Sequence, residues 1–286
     1  MVTFAAPSRL TARERARRAA RGGATRSAPA PLLVPALIAV VFLLLPLAGL
    51  IIRAPWGHLG AALSGSDATQ ALILSLWTAS ASTGISLLIG VPLAWILART
   101  TFPGQRLLRA LVTLPLVLPP VVGGVALLLA FGRTGVIGRY LDSWFGLTIP
   151  FTPLAVVMAE TFVAMPFLII TVEGALRSAD QGYEEAAATL GARRMTVFSR
   201  VTVPMVAPSL GAGAVLCWAR ALGEFGATIT FAGSFPGQTE TMPIAVYYAL
   251  ETDPNAAIAL SLVLLLVSVI VLVSLRERWL RGGSIS

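Results

Sequence analysis

Two charges stand four residues apart inside an apolar run of this 286-residue chain: Arg220 and Glu224, in Cys217-Trp218-Ala219-Arg220-Ala221-Leu222-Gly223-Glu224-Phe225-Gly226-Ala227-Thr228-Ile229-Thr230. At that spacing the side chains meet on one turn of a helix. Ionisable groups in apolar surroundings are costly, which makes each a functional candidate. Two readings are open: the pair neutralises itself and does no more, or it lines or gates a pathway. Gly223 and Gly226 weaken the helix here. A break would free backbone N–H groups, and a half-helix N-terminus facing a pathway suits an anion. Thr228 and Thr230 would add hydroxyl donors. Glu160, alone in another apolar run, is expected to hydrogen-bond within a helix bundle rather than line a pathway. No nucleophile–base pair and no metal-binding cluster is visible; His58 is the single histidine, and Cys217 reads as a small buried hydrophobe. The phosphate-binding pattern G-x-x-x-x-G-K-[ST] is absent, and the chain has no Lys at all. It is therefore expected not to be an enzyme, to bind no cofactor or metal of its own, and to draw any ATP-derived energy from another polypeptide.

The elements that must position these residues are long and apolar. Hydrophobic residues make up 56% of the chain and charged residues 12%, about half the charge of a typical soluble domain. A bilayer is the natural solvent for such a sequence. Six runs are long enough to cross it as helices: 31–52, 71–98, 110–132, 151–172, 203–232 and 256–275. None alternates with period two, which argues against a β-barrel. Pro115, Pro119 and Pro120 must break or kink the third run, and Gly123-Gly124 allow a close helix contact. The expected fold is an all-α integral membrane protein with six transmembrane helices. The segment 242–250 is apolar enough to lie at the membrane interface or dip back into the protein.

The net charge is +8, and every basic residue is Arg. Seventeen of the 21 fall before the first run, between the second and third, between the fourth and fifth, or after the sixth. The alternate loops hold only Arg53, Arg133 and Arg139, and Arg220 lies within a run. This asymmetry is the positive-inside signal of a multi-pass inner-membrane protein with both termini in the cytoplasm. It makes membrane lipid, rather than nucleic acid, the expected partner of the basic excess. The first run is longer than the core of a cleaved signal peptide and is expected to remain as a helix. The chain then divides into an Arg-rich cytoplasmic leader (1–30), a first transmembrane helix (31–52), a core of five further helices (69–275) carrying a cytoplasmic loop at 177–204, and a cytoplasmic tail (276–286). The leader is expected either as a short helix on the anionic leaflet or as disordered chain.

That loop is the most informative stretch. Asp180 can cap a short helix of good helix formers, Glu184 and Glu185 sit in its first turn where the dipole favours them, and Gly191 can end it. The result is a knob of about two turns with small Ala residues on one side, shaped to enter a groove on a partner. The pattern Glu185-Ala186-Ala187, three residues, Gly191, nine residues, Val201, one residue, Val203-Pro204 resembles the EAA loop of ABC-importer permeases, with Val where Ile and Leu are usual. The resemblance implies the type I ABC importer permease architecture. It also implies that Glu184, Glu185, Ala186, Ala187, Gly191 and Pro204 belong to a coupling element that docks into a cleft of the ATPase subunit.

Further stretches are similar to the molybdate permease subfamily: Arg220 to Gly233, then Gly237-Gln238-Thr239-Glu240-Thr241-Met242-Pro243, Tyr247-Tyr248-Ala249-Leu250-Glu251, and Leu114-Pro115-Leu116-Val117-Leu118-Pro119-Pro120. The Gly-Glu-Phe-Gly-Ala core at 223–227 is shared with sulfate permeases; the continuation at 228–243 favours molybdate. The resemblance implies a homodimer of this chain, two cytoplasmic ATPase subunits that bind ATP and Mg, and an extracytoplasmic oxyanion-binding protein. The cargo would be a tetrahedral oxyanion, molybdate or tungstate, moved by alternating access. Arg220, Gly223, Glu224, Gly226, Thr228 and Thr230 are the pathway candidates. The alternatives are a sulfate-type permease and an ion-coupled secondary transporter, which would show a coupling-ion site and usually repeat symmetry; neither is visible.

Overall fold

The computed structural model describes residues 30–57, 60 and 65–282; His58, nearly all of the Arg-rich leader and the last four residues lie outside them. Every regular element among the described residues is helical. The chain divides into two compact units, Met1–Arg53 and Ala54–Ser286. The first contributes α1 (Ala30–Ile52), an uncharged helix whose 22-residue span has a mean hydropathy of 2.7. At about 1.5 Å per residue it is long enough to cross the hydrocarbon core.

The second unit runs α2 (Ser66–Arg99), α3 (Gln105–Val117), α4 (Pro120–Phe131), α5 (Gly138–Phe145), α6 (Pro153–Ser178), α7 (Gly182–Thr189) and α8 (Arg194–Val197). A π-helical turn (Phe198–Thr202) follows, then α9 (Val203–Leu222), α10 (Gly226–Ala232), α11 (Met242–Thr252) and α12 (Pro254–Gly282). Helix α6 is the axis of this unit, with α2 and α9 packed along it. Leu168, Ile169, Val172 and Leu176 of α6 are buried against Ala79, Ala94 and Leu97 of α2 and Val206, Cys217 and Ala221 of α9. The alanines let backbones approach closely, which is how helices associate where lipid removes most of the hydrophobic drive. Cys217 is a fully buried core residue, as its apolar neighbours predicted. The first half of α6 packs instead with Leu127 of α4 and Ala227, Phe231 and Ala232 of α10. A third cluster joins Ala71 of α2 to Met242 and Ala245 of α11 and Leu260 of α12.

Among the described residues, five helical stretches are each long and apolar enough to span a membrane, and a sixth is reached if α3 and α4, which meet at 118°, are counted as one. The third run is therefore a sharply broken span rather than a straight one. Pro119 and Pro120 have no N–H to continue the ladder. The Leu118 amide closes back on Leu114 O, and the Gly123 amide restarts the pattern on Pro119 O. Pro115 is accommodated inside α3.

The fifth run also differs from its expected bounds. A continuous helical stretch covers Arg194–Leu222, and α10 follows as a separate piece. Before Pro204 the helix widens: the Val203 amide bonds to Phe198 O, one residue further back than in an α-helix. The wider turn makes room where the proline ring would press on the preceding carbonyls. Segment 242–250 is a helix, α11, whose Met242 and Ile244 are fully buried. The last helix continues to Gly282, so most of the expected tail extends it.

Candidate functional site

Helix α7 is built as a stiff, exposed knob. Asp180 lies one residue before the N-cap position, and its carboxylate accepts the Gly182 amide at 2.9 Å. At the other end the Gly191 amide bonds to Ala188 O and the Ala192 amide to Ala187 O. This double closure needs a left-handed residue at the turn, and Gly191 supplies it at φ +84. Tyr183, Glu185, Ala186 and Leu190 face outward, Leu190 being 89% exposed, while Ala187 is half-buried.

Glu184, grouped with Glu185 in the coupling element, does not share its outward face. Its side chain is 16% exposed, and its Oε1 accepts a 3.0 Å bond from Arg99 Nη2, at the end of α2, and another 3.0 Å bond from the Thr202 hydroxyl. Successive residues of an α-helix point about 100° apart, so Glu184 and the exposed Glu185 face different sides. Pro204 is exposed but belongs to the first turn of α9, away from the tip of α7. Arg99 and Thr202 were not singled out from the sequence: they lie 85 and 18 residues from Glu184, and no local pattern links them.

The intramembrane candidates come together at a joint. Helix α9 stops at Leu222 and α10 restarts at Gly226, so the predicted break is there. Arg220 Nη2 lies 2.6 Å from Glu224 Oε2, and Glu224 Oε1 accepts the Ala227 amide at 2.8 Å. Glu224 is 1% exposed. The N-terminus that could have hosted an anion is thus already held by the chain's own carboxylate, which also neutralises the arginine. The Thr230 hydroxyl is turned to Gly226 O. The Thr228 hydroxyl is buried with no partner among the described residues.

Gly226 and Gly124 are packing residues. A Cβ on Gly226 would lie 2.7 Å from Pro120 Cβ, and one on Gly124 would lie 2.6 Å from Thr230 Cβ. Gly223 meets nothing closer than 3.5 Å. Glu160 accepts a 2.9 Å bond from the Thr78 hydroxyl inside the bundle, as expected. Thr78 belongs to a buried hydroxyl stripe on α2 with Ser75, Ser82 and Ser86. Its spacing of three and four residues was a helical signal that could have been read. A cleft of about 320 Å³ between α3 and α6 is lined by Arg109, Thr113, Glu173 and Arg177, and Glu173 bonds both arginines, at 2.8 and 2.9 Å.

Residues 90–282 match the family described as the binding-protein-dependent transport system inner membrane component. The chain belongs to this family of permeases. Like its family, this permease is a multi-pass inner-membrane transport subunit and not an enzyme. It is 51% identical over 245 residues to the molybdenum transport system permease protein ModB of Mycobacterium tuberculosis, covering 86% of this chain and 92% of that one. Its identity to ModB of Escherichia coli is 42% over 211 residues, with 74% and 92% covered. The sulfate transport system permease protein CysT of Escherichia coli stands further off, at 36% over 251 residues, with 86% and 90% covered. The permease fold is similar to that of a bacterial ABC transporter importing the acidic polysaccharide alginate: TM-score 0.71, 19% identity, 89% of this chain and 95% of that one. It is also similar, at TM-score 0.67, 19% identity and 89% and 94% coverage, to the same kind of transporter in complex with its alginate-loaded periplasmic protein.

Proposed function

We propose that this permease is the membrane-spanning subunit of an ATP-driven importer that carries molybdate, and tungstate with it, into the cytoplasm. The observation that carries the cargo is the order of identity: 51% to a permease named for molybdenum transport against 36% to one named for sulfate, each over 86% of the chain. Residues 228–243, where the sequence leans to molybdate, build α10, a hydrogen-bonded turn and the start of α11. Thr239 accepts the Phe235 amide and Ser234 bonds Glu240. They form scaffold, not a ligand cage. With Arg220 neutralised and the α10 N-terminus occupied, one chain offers an oxyanion no deep trap, which suits a conduit that must release its cargo. Selection then falls to an extracytoplasmic oxyanion-binding protein, the kind of partner the alginate transporter is named with.

The rest of the assembly follows from the same reading. The permease works as a homodimer. The outward face of α7, with Glu185, Ala186 and Leu190, seats in a cytoplasmic ATPase subunit that binds ATP and Mg. Closure of the ATPase pair draws the two coupling helices together and opens the pathway outward; hydrolysis returns it inward. Both termini lie in the cytoplasm on this reading, which the Arg asymmetry supports.

Uptake of labelled molybdate and sulfate in competition, in cells lacking other oxyanion importers, tests the cargo. Molybdate uptake that depends on ATP and resists excess sulfate is expected. ATP-dependent sulfate uptake unaffected by excess molybdate would replace molybdate by sulfate. Uptake driven by an ion gradient without ATP would overturn the importer class.

A further inference from the structure

Helix α7 buries none of its residues. Three residues join it to α6 and four to α8, and no side chain of the helix is sunk into the bundle as a hydrophobic anchor. The Glu184 carboxylate is a different sort of attachment. It lies between the last residue of α2 and the last residue of the π-helical turn below α9. Both Arg99 Nη2 and the Thr202 hydroxyl donate to the same oxygen, Oε1. The Arg99 side chain is 5% exposed and Thr202 is 1% exposed. A pair so far from water keeps its geometry, because separating it would strand a charge in a poorly solvated place.

We infer that Arg99, Glu184 and Thr202 form a clamp that makes the coupling helix move as one body with the ends of α2 and α9, so that displacement of α7 reaches the helix bundle through these three side chains. This inference rests on the reading of α7 as the coupling element. Two details bear it out physically. Thr202 closes the π-helical turn, where the helical ladder changes register, and such a turn is a natural place for a helix to bend. Pulling on Glu184 therefore acts at the point where the α8–α9 helix yields, while α2, packed along α6, takes the same pull at its terminus. The ion pair also uses one arm of the guanidinium: Arg99 Nε and Nη1 are buried without a partner among the described residues. Idle buried donors are unfavourable. As α7 shifts, the carboxylate can pass from Nη2 to these nitrogens without ever being released. The clamp keeps its hold while the geometry changes. Glu184 and its two partners are positioning residues: they touch neither cargo nor nucleotide.

The test uses the full complex, with ATPase subunits and binding protein, in proteoliposomes, where molybdate uptake and phosphate release are read together. For Glu184→Gln and Arg99→Gln, the ATPase subunit co-purifies at the wild-type level while molybdate carried per ATP falls about fivefold or more. Thr202→Val, which keeps the ion pair, gives a smaller fall, and Arg99→Lys, which keeps one charged donor, recovers part of the loss. A wild-type ratio in both Glu184→Gln and Arg99→Gln overturns the clamp. Loss of the ATPase subunit from Glu184→Gln also overturns it, by making Glu184 a docking contact. If the Gln variants do not accumulate, Arg99→Lys and Thr202→Val decide by the same ratio, a wild-type value in both being the overturning result. The failure of the coupling reading itself looks different: Ala186→Arg, on the outward face of α7 and away from the clamp, would then also transport normally per ATP.

Discussion

Glu224 closes the N-terminus of α10 through a 2.8 Å hydrogen bond from the Ala227 amide. Its other carboxylate oxygen holds Arg220 at 2.6 Å. One buried side chain thus closes the start of one helix and neutralises a charge on the helix before it. Glu224→Ala strands both the arginine and the amide. Losing one partner of a buried pair costs about 3–5 kcal/mol. Thermal unfolding of the purified permease in detergent is expected to show a large drop in Tm for Glu224→Ala and a smaller one for Arg220→Gln, since Arg220 is 29% exposed. Equal, small shifts for both would mean that the joint does not depend on the carboxylate.

The glycines of the same joint separate by packing. Gly226→Ala places a methyl group 2.7 Å from Pro120 Cβ, and Gly124→Ala places one 2.6 Å from Thr230 Cβ and 2.9 Å from Ala227 O. Overpacking of this kind costs about 1–3 kcal/mol. Gly223→Ala, with its nearest neighbour at 3.5 Å, should be tolerated. Comparing the three Tm values checks the ranking; a Gly223 variant worse than both others would contradict the packing described.

Gly191 ends α7 at φ +84. Proline, held near −65°, cannot adopt that angle, and it removes the amide that bonds Ala188 O. Gly191→Pro should splay the end of the knob, and Ala186→Arg, on its exposed face, should block its seat. Both are expected to insert in the membrane normally yet lose substrate-driven ATP hydrolysis in the assembled complex. If both assemble and hydrolyse ATP like the wild type, α7 is not the coupling element.

Orientation is checked by single cysteines at Ser8, Ser234 and Ser284 in a Cys217→Ala background. An impermeant thiol reagent applied to intact cells is expected to label position 234 alone. Labelling of position 8 or 284 from outside would reverse the topology that the Arg distribution predicts.

Much of this protein is written in one dimension. The membrane spans are runs of apolar residues, and a bilayer imposes its length on any helix that crosses it. The proposed orientation rests on where Arg falls, and the knob of α7 on a contiguous pattern of Glu185, Ala186, Ala187 and Gly191 whose caps are local. The break at Pro119-Pro120 was legible because a missing N–H acts on its own helix. How sharply the chain turns there, 118°, was not. That angle depends on Gly226 and Gly124 letting α4 and α10 touch, a contact between residues about 100 apart in the chain. The role of Glu184 was undecided for the same reason. Its neighbours in sequence place it on a surface helix beside Glu185, but which side of that helix meets Arg99 and Thr202 is set by the packing of α2 and α9 on α6. The Arg220–Glu224 pair was visible at its four-residue spacing, whereas its use as a helix cap needed the position of Ala227 across the break. Local backbone chemistry travels with the sequence; the partner of a buried charge is chosen only when distant helices close on it.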